Sequence, residues 1–183
     1  MAKSSKGGDF ERKICKFLTV WNGGDPKKPQ FWRQPGSGSM LMMNEDDNMS
    51  GDIRSISPAS SYFCKIFSLE CKNGYDDVSL DKFLKYNKSD GLKLFWLQCC
   101  GDAQASGRQP LLFYRKLGIT PVWVGIGQDT FDKISQYIND IRYITLHWEI
   151  DTLCLFGQED FFRVITPEII KDIYESIERS PQR

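Results

Sequence analysis

The chain has one histidine, His147, in 183 residues, and six cysteines with no Cys-x-x-Cys spacing. Zinc sites built from His and Cys ligands have little to draw on. Ser-His and Cys-His schemes would rest on His147 alone, and its Thr145-Leu-His-Trp148 context reads as strand rather than as a catalytic base. Net charge is missing too: 24 Lys and Arg balance 24 Asp and Glu, so bulk charge advertises no polyanionic partner. No apolar run approaches membrane-spanning length, and the polar start has no signal-like apolar segment. We therefore expect a cytoplasmic protein with no membrane partner. Several of Cys15, Cys64, Cys71, Cys99, Cys100 and Cys154 fall in apolar contexts, as reduced packing residues do.

The length suits one domain, or a core with an appendage, able to bury a sizeable interior. Asp9 is a fitting N-cap for an opening helix, where Phe10, Ile14, Phe17, Leu18 and Trp21 make one apolar stripe. Tyr62 to Leu69 reads as a buried strand, and Ser79 to Lys88 as a short amphipathic helix. Leu94 to Ala103 predicts a helix, followed by a glycine turn and a strand over Gln109 to Lys116. Thr120 to Ile126 predicts a strand and residues 130 to 141 a helix. Arg142 to Ile150 and Thr152 to Phe156 predict a hairpin turning near Asp151. Thr166 caps a last helix with Pro167 at its first position. This order argues for an α/β fold around a mixed sheet.

Within it, Gly51-Asp52-Ile53 and Phe67-Ser-Leu-Glu70-Cys-Lys72 carry chemistry. Glu70 and Lys72, two apart on a strand, share one face. A short bent hairpin would bring Asp52 beside Glu70. Two carboxylates offer hard oxygen ligands for Mg²⁺, and a lysine ammonium can hold an attacking water. The triplet alone is weak, because chance supplies roughly two acid-x-Lys triplets in such a composition. The chain holds three, the others being Glu11-Arg-Lys13 and Asp25-Pro-Lys27, and only Glu70-Cys-Lys72 follows an apolar, aromatic run. The bland reading is a solvated strand end with a weak ion pair.

Three other features favour a site. Glu11, just off the opening helix stripe, is either a carboxylate favoured by the helix dipole or a third acid reaching a metal-bound water. The Gly/Pro-rich loop from Asn22 to Ser39, with Lys27, Lys28 and Arg33, could let backbone amides and cations approach phosphate, or could simply connect. Gln98, expected to face away from Phe95 and Cys99, is either an ordinary polar helix residue or one that presents its amide to the site. Residues 1 to 36 also hold eight Lys and Arg against three acids, a basic arm beside an acidic centre.

Together, these segments resemble the PD-(D/E)xK nuclease superfamily, and within it the archaeal-type Holliday junction resolvases and their phage relatives. The resemblance rests on Lys6-Gly-Gly-Asp-Phe-Glu11-Arg12, Arg33 with Gly36-Ser-Gly-Ser39, Gly51-Asp52-Ile53 and Glu70-Cys-Lys72. It covers about residues 5 to 125 and implies a restriction-endonuclease-like core, with 126 to 183 as a C-terminal α/β extension of one nuclease domain. It also implies that Asp52, Glu70 and the Cys71 backbone carbonyl bind Mg²⁺ or Mn²⁺, with Glu11 doing so directly or through water. Lys72 would activate the nucleophilic water, Arg33, Ser37, Lys6 and Arg12 would contact DNA, and Gln98 would support the site. Glycine at 51 departs from the proline of many members, and the Met40 to Asn48 run has no counterpart we can align.

The expectation is thus a metal-dependent endodeoxyribonuclease. It is most like a homodimeric resolvase of four-way DNA junctions, acting in a bacterial or phage-infected cell. A restriction or repair nuclease with the same centre is the nearest alternative. The rival of another class is a non-catalytic DNA-binding or interaction module on that scaffold.

Overall fold

The computed structural model describes residues 6–34, 50–73, 90–116, 121–148 and 151–178. Helix α1 (Lys6–Trp21) opens the chain, and a two-stranded antiparallel ribbon follows, β1 (Phe31–Arg33) against β2 (Ile53–Ser55). Next come α2 (Ser61–Ile66), β3 (Phe67–Asn73), α3 (Asp90–Ala105), β4 (Gln109–Arg115) and β5 (Trp123–Gly127). The chain continues through α4 (Gln128–Ile134), β6 (Tyr143–Trp148), β7 (Asp151–Gly157), α5 (Gln158–Val164) and α6 (Pro167–Glu178). No described helix is long and apolar enough to cross a membrane.

The five-stranded sheet has the order β3-β4-β5-β7-β6. Only the β3–β4 pair is parallel, and α3 supplies the crossover that a parallel pair requires. Strand alternation divides the interior in two. Leu69, Cys71, Leu111, Phe113, Val124, Ile126, Cys154 and Phe156 join α1, α2, α5 and α6 in the larger core. Within it, Phe162 meets Phe17, Trp21 and Phe161 edge-on and stacks on Phe113. Leu112, Tyr114, Leu146, Leu153 and Leu155 face the other way, under Leu92, Trp96 and Cys99 of α3. β7, from the C-terminal part of the chain, lies between β5 and β6 and so continues the sheet without a break. The described cysteines are all free thiols, and all but Cys100 are buried.

Several elements differ from the sequence expectation. α1 begins at Lys6 rather than after Asp9, whose carboxylate instead pairs with Arg12 one turn on. Tyr62 to Ile66 is helical. Ser57 accepts the Ala59 N–H at 3.3 Å and Pro58 opens a 3₁₀ turn, which launches α2 before the chain extends at Phe67. A short apolar run does not distinguish buried helix from buried strand, and here it straddles both. As a result β2 and β3 are not joined by a hairpin turn. The Asn22–Ser39 loop contains strand β1, so Arg33 sits on a strand. The helix expected over 130 to 141 starts at Gln128 and ends at Ile134, tightening into a 3₁₀ turn over Ser135–Tyr137. α5 was not foreseen. The Ser79–Lys88 helix and the Met40–Asn48 run lie outside the described residues.

Candidate active site

The β3 edge farthest from β6 builds the site. Glu70 and Lys72 project together from β3, and Lys72 Nζ forms an ion pair with Glu70 Oε1. The same ammonium donates to Gln98 Oε1 of α3 at 2.9 Å and lies 5.5 Å from the centre of the Phe95 ring. The β-strand period predicted that Glu70 and Lys72 share a face. Gln98 and Phe95, three apart on α3, meet the same ammonium, so Gln98 does not face away from Phe95 as the sequence leads one to expect.

Asp52 arrives at the outer edge of β3. Its N–H donates to the Leu69 carbonyl at 2.6 Å, and its Oδ2 accepts from the Cys71 N–H at 2.8 Å. One residue therefore satisfies the edge groups of two strand positions, as a paired strand would. The Asp52 carbonyl in turn accepts from Gln34 N–H at 2.7 Å, tying the end of β1 to the same point. N–H and C=O of a strand residue leave on the same side, so the Cys71 carbonyl faces the edge where Asp52 sits.

Gly51 makes this approach possible. Its φ is +90°, and a Cβ there would lie 2.8 Å from Leu69 O and 2.9 Å from Leu69 N. Proline, locked near φ −65°, cannot take this conformation. The glycine that departs from the superfamily pattern is thus required by how closely the Asp52 arm presses on β3.

Asp52 and Glu70 are 7% and 4% exposed, so their charges meet little solvent. Burial, and then the Asp52 carboxylate, push the Glu70 carboxyl up to about 7 against the opposing pull of Lys72. Glu11 is raised for the same two reasons in the same order, opposed by Arg33. Asp102 on α3 is raised by burial and by Asp52, opposed by Lys72. Four carboxylates thus share one field. Asp102 was not anticipated, although it lies one helical turn beyond Gln98 and that spacing was the available signal.

The structure does not gather every expected residue. Glu11 Oε2 accepts from Arg33 Nε at 2.8 Å, which holds this acid toward the ribbon. Among the described residues no three His, Cys, Asp or Glu side chains form a metal cage, although Glu11 lies close enough for the Asp52 charge to raise its carboxyl. The Arg33 guanidinium packs over Gly8 of α1, where a Cβ would stand 3.0 Å from Nη1. Arg12 stays on the exposed side of α1 with Asp9. The Lys6 side chain and Ser37 lie outside the described residues. A cation not anticipated, Arg115, donates from Nε to Asn73 Oδ1 at 3.1 Å and covers the Phe10 ring, at the same end of β3.

Residues 2–172 match the family described as "Phage putative PDDEXK endonuclease". The chain belongs to this family. Its mixed five-stranded sheet flanked by helices is consistent with the restriction-endonuclease-like fold that the resemblance implied. The chain matches no curated protein and no solved structure. The family's description denotes an acid, acid and lysine set, for which Asp52, Glu70 and Lys72 are the candidates in this chain.

Proposed function

We propose that the protein is a divalent-cation-dependent endodeoxyribonuclease whose centre is Asp52, Glu70 and Lys72. The observation that carries this reading is the Lys72–Glu70 pair beside an Asp52 carboxylate bonded to the Cys71 N–H. Buried, mutually repelling carboxylates with a backbone carbonyl on the same edge are a donor set suited to a hard cation such as Mg²⁺ or Mn²⁺. Asp52, Glu70 and the Cys71 carbonyl would hold it. When bound, it supplies Lewis acidity and charge neutralisation at the phosphate.

The chain's own groups do the rest. Lys72, steadied by Gln98 and by the Phe95 ring, orients the attacking water and, as an ammonium, stabilises the negative charge that develops on its oxygen. Glu11 acts through a bound water, since Arg33 holds its carboxylate. Arg33 on the ribbon and Arg115 at the end of β4 supply cationic contacts to the DNA backbone, with Lys6, Arg12 and Ser37 as further contacts.

As the finer reading, the substrate is a four-way junction cut by a homodimer in the cytoplasm of the host cell. Two related strands cut symmetrically call for two related centres. The resemblance to junction resolvases supports this substrate. Labelled four-way, linear duplex and single-stranded DNA incubated with Mg²⁺ test it. Paired symmetric cuts in the junction alone are expected. Equal cleavage of linear duplex would remove the resolvase role and leave the nuclease, and binding to all three without cleavage would favour a non-catalytic module.

A further inference from the structure

Asp52 is held from the front by β3, and a separate network holds it from behind. Gly107 adopts φ +63°, with its N–H bonded to Gln104 O at 3.1 Å and the Arg108 N–H bonded to Ala103 O at 2.9 Å. This closes α3 with a glycine C-cap of Schellman type, which fixes where Arg108 leaves the helix. The Arg108 side chain then runs inward and is 9% exposed. Its Nη1 donates to the Cys64 carbonyl at 2.9 Å, and Nε donates to Ser106 Oγ at 2.9 Å. Its Nη2 donates to both the carbonyl (3.0 Å) and the hydroxyl (2.6 Å) of Ser50.

Ser50 Oγ is itself a hub. It lies 3.0 Å from the Asp102 carbonyl, 2.8 Å from Ser106 Oγ and 3.1 Å from Ser68 Oγ on β3. A hydroxyl carries one proton, so accepting from Arg108 frees that proton for the Asp102 carbonyl. Ser50 stands two residues before Asp52, with only Gly51 between them. Asp102 lies one turn from Gln98, the acceptor of Lys72.

We infer that Arg108, acting through Ser50, is a positioning residue that sets the Asp52 carboxylate relative to Glu70 and Lys72. The inference rests on the cation-site reading above and extends it to residues outside the acid, acid and lysine set. Neither Arg108 nor Ser50 contacts the cation or the DNA in this account. A guanidinium is planar with five donors, and four of its bonds here go to groups at different angles. A lysine ammonium, a compact point charge, cannot reproduce them. Without Arg108 the backbone at Ser50 loses its clamp. Gly51 is then free to leave its left-handed conformation, and the Asp52 carboxylate drifts from the Cys71 N–H.

The test is Mn²⁺ binding, measured by calorimetry on the whole chain without DNA, well below each variant's unfolding temperature. The variants are Arg108→Lys and Ser50→Ala, with Leu146→Val on β6, the strand at the far end of the sheet from β3, as a control for general loss of stability. Supporting groups of a metal site typically change affinity 10- to 100-fold. Arg108→Lys is therefore expected to weaken Mn²⁺ binding at least about tenfold, and Ser50→Ala several-fold. Leu146→Val should lower the unfolding temperature without changing affinity. Wild-type affinity in a folded Arg108→Lys or Ser50→Ala protein would overturn the inference. If Arg108→Lys does not fold, Ser50→Ala, which keeps the bond from Arg108 to the Ser50 carbonyl, decides alone. If the wild-type chain binds no Mn²⁺, the cation reading itself falls and the positioning role falls with it.

Discussion

The Cys71 N–H donates to Asp52 Oδ2 at 2.8 Å, so one metal-ligand candidate is anchored to the backbone between the other candidate, Glu70, and the lysine, Lys72. This bond makes the acid, acid and lysine set a single unit although its members come from segments 18 residues apart. β3 presents Glu70 and Lys72 on one face, and its edge captures Asp52. The field is strongly negative, with Glu11 and Asp102 nearby, and Lys72 is the cation paired with Glu70.

Gly51 is the tightest point in this arrangement. Gly51→Ala places a methyl against the Leu69 carbonyl and leaves an L-residue at positive φ. The expected loss is about 2 kcal/mol or more in urea unfolding, with cleavage falling further than stability alone explains. Gly51→Pro, which restores the commoner superfamily residue, should be worse, because its φ is incompatible with +90°. An Ala variant as stable and active as wild type would show that the arm need not press on β3.

The raised Glu70 carboxyl sets a pH dependence. Its folded value, about 7, lies above the ordinary 4.5, so the unfolded chain releases this proton first as pH rises. Stability of the metal-free protein should therefore fall between about pH 4.5 and 7, by roughly 3 kcal/mol, and level off above. Glu11 is shifted in the same direction and adds to the fall. In EDTA the unfolding temperature should drop across this window, and Glu70→Gln should flatten the drop. Added Mn²⁺ should recover more stability at pH 8 than at pH 5.5, since protons compete for Glu70 only at the lower pH. A metal-free stability that rises through the window would contradict the assignment.

Gln98 is exposed, yet its carbonyl oxygen receives the Lys72 ammonium. Gln98→Leu should leave the unfolding temperature nearly unchanged, as surface substitutions usually do. The single-turnover cleavage rate should fall about tenfold, because Lys72 loses one of the groups that orient it. An unchanged rate would reduce Gln98 to a bystander.

Much of this site could be read from the chain before any coordinates. Period-two alternation put Glu70 and Lys72 on one face. Gln98 stood out as a polar candidate on the helix over Leu94 to Ala103, though it was expected to face away from Phe95 rather than to share the Lys72 ammonium with it. What stayed hidden depended on tertiary contacts. Tyr62 to Ile66 has the composition of a strand, and only the Ser57-Pro58 turn and packing against α6 make it a helix. Arg108 looks like any arginine before a strand, since nothing local reveals that it is buried against Ser50 and Cys64. The need for Gly51 was invisible because it comes from Leu69, 18 residues away. Helix α5 escaped because Gln158 to Val164 is too short for its period to emerge from the preceding strand.

The most direct measurement is cleavage of labelled DNA by the wild-type chain and by Asp52→Asn, each with Mg²⁺ and with EDTA. An asparagine can still accept the Cys71 N–H through its Oδ1, so the variant should fold and bind DNA. Its cleavage should fall at least about a hundredfold, and wild-type cleavage should vanish in EDTA. Cleavage that survives both the substitution and EDTA would contradict the account.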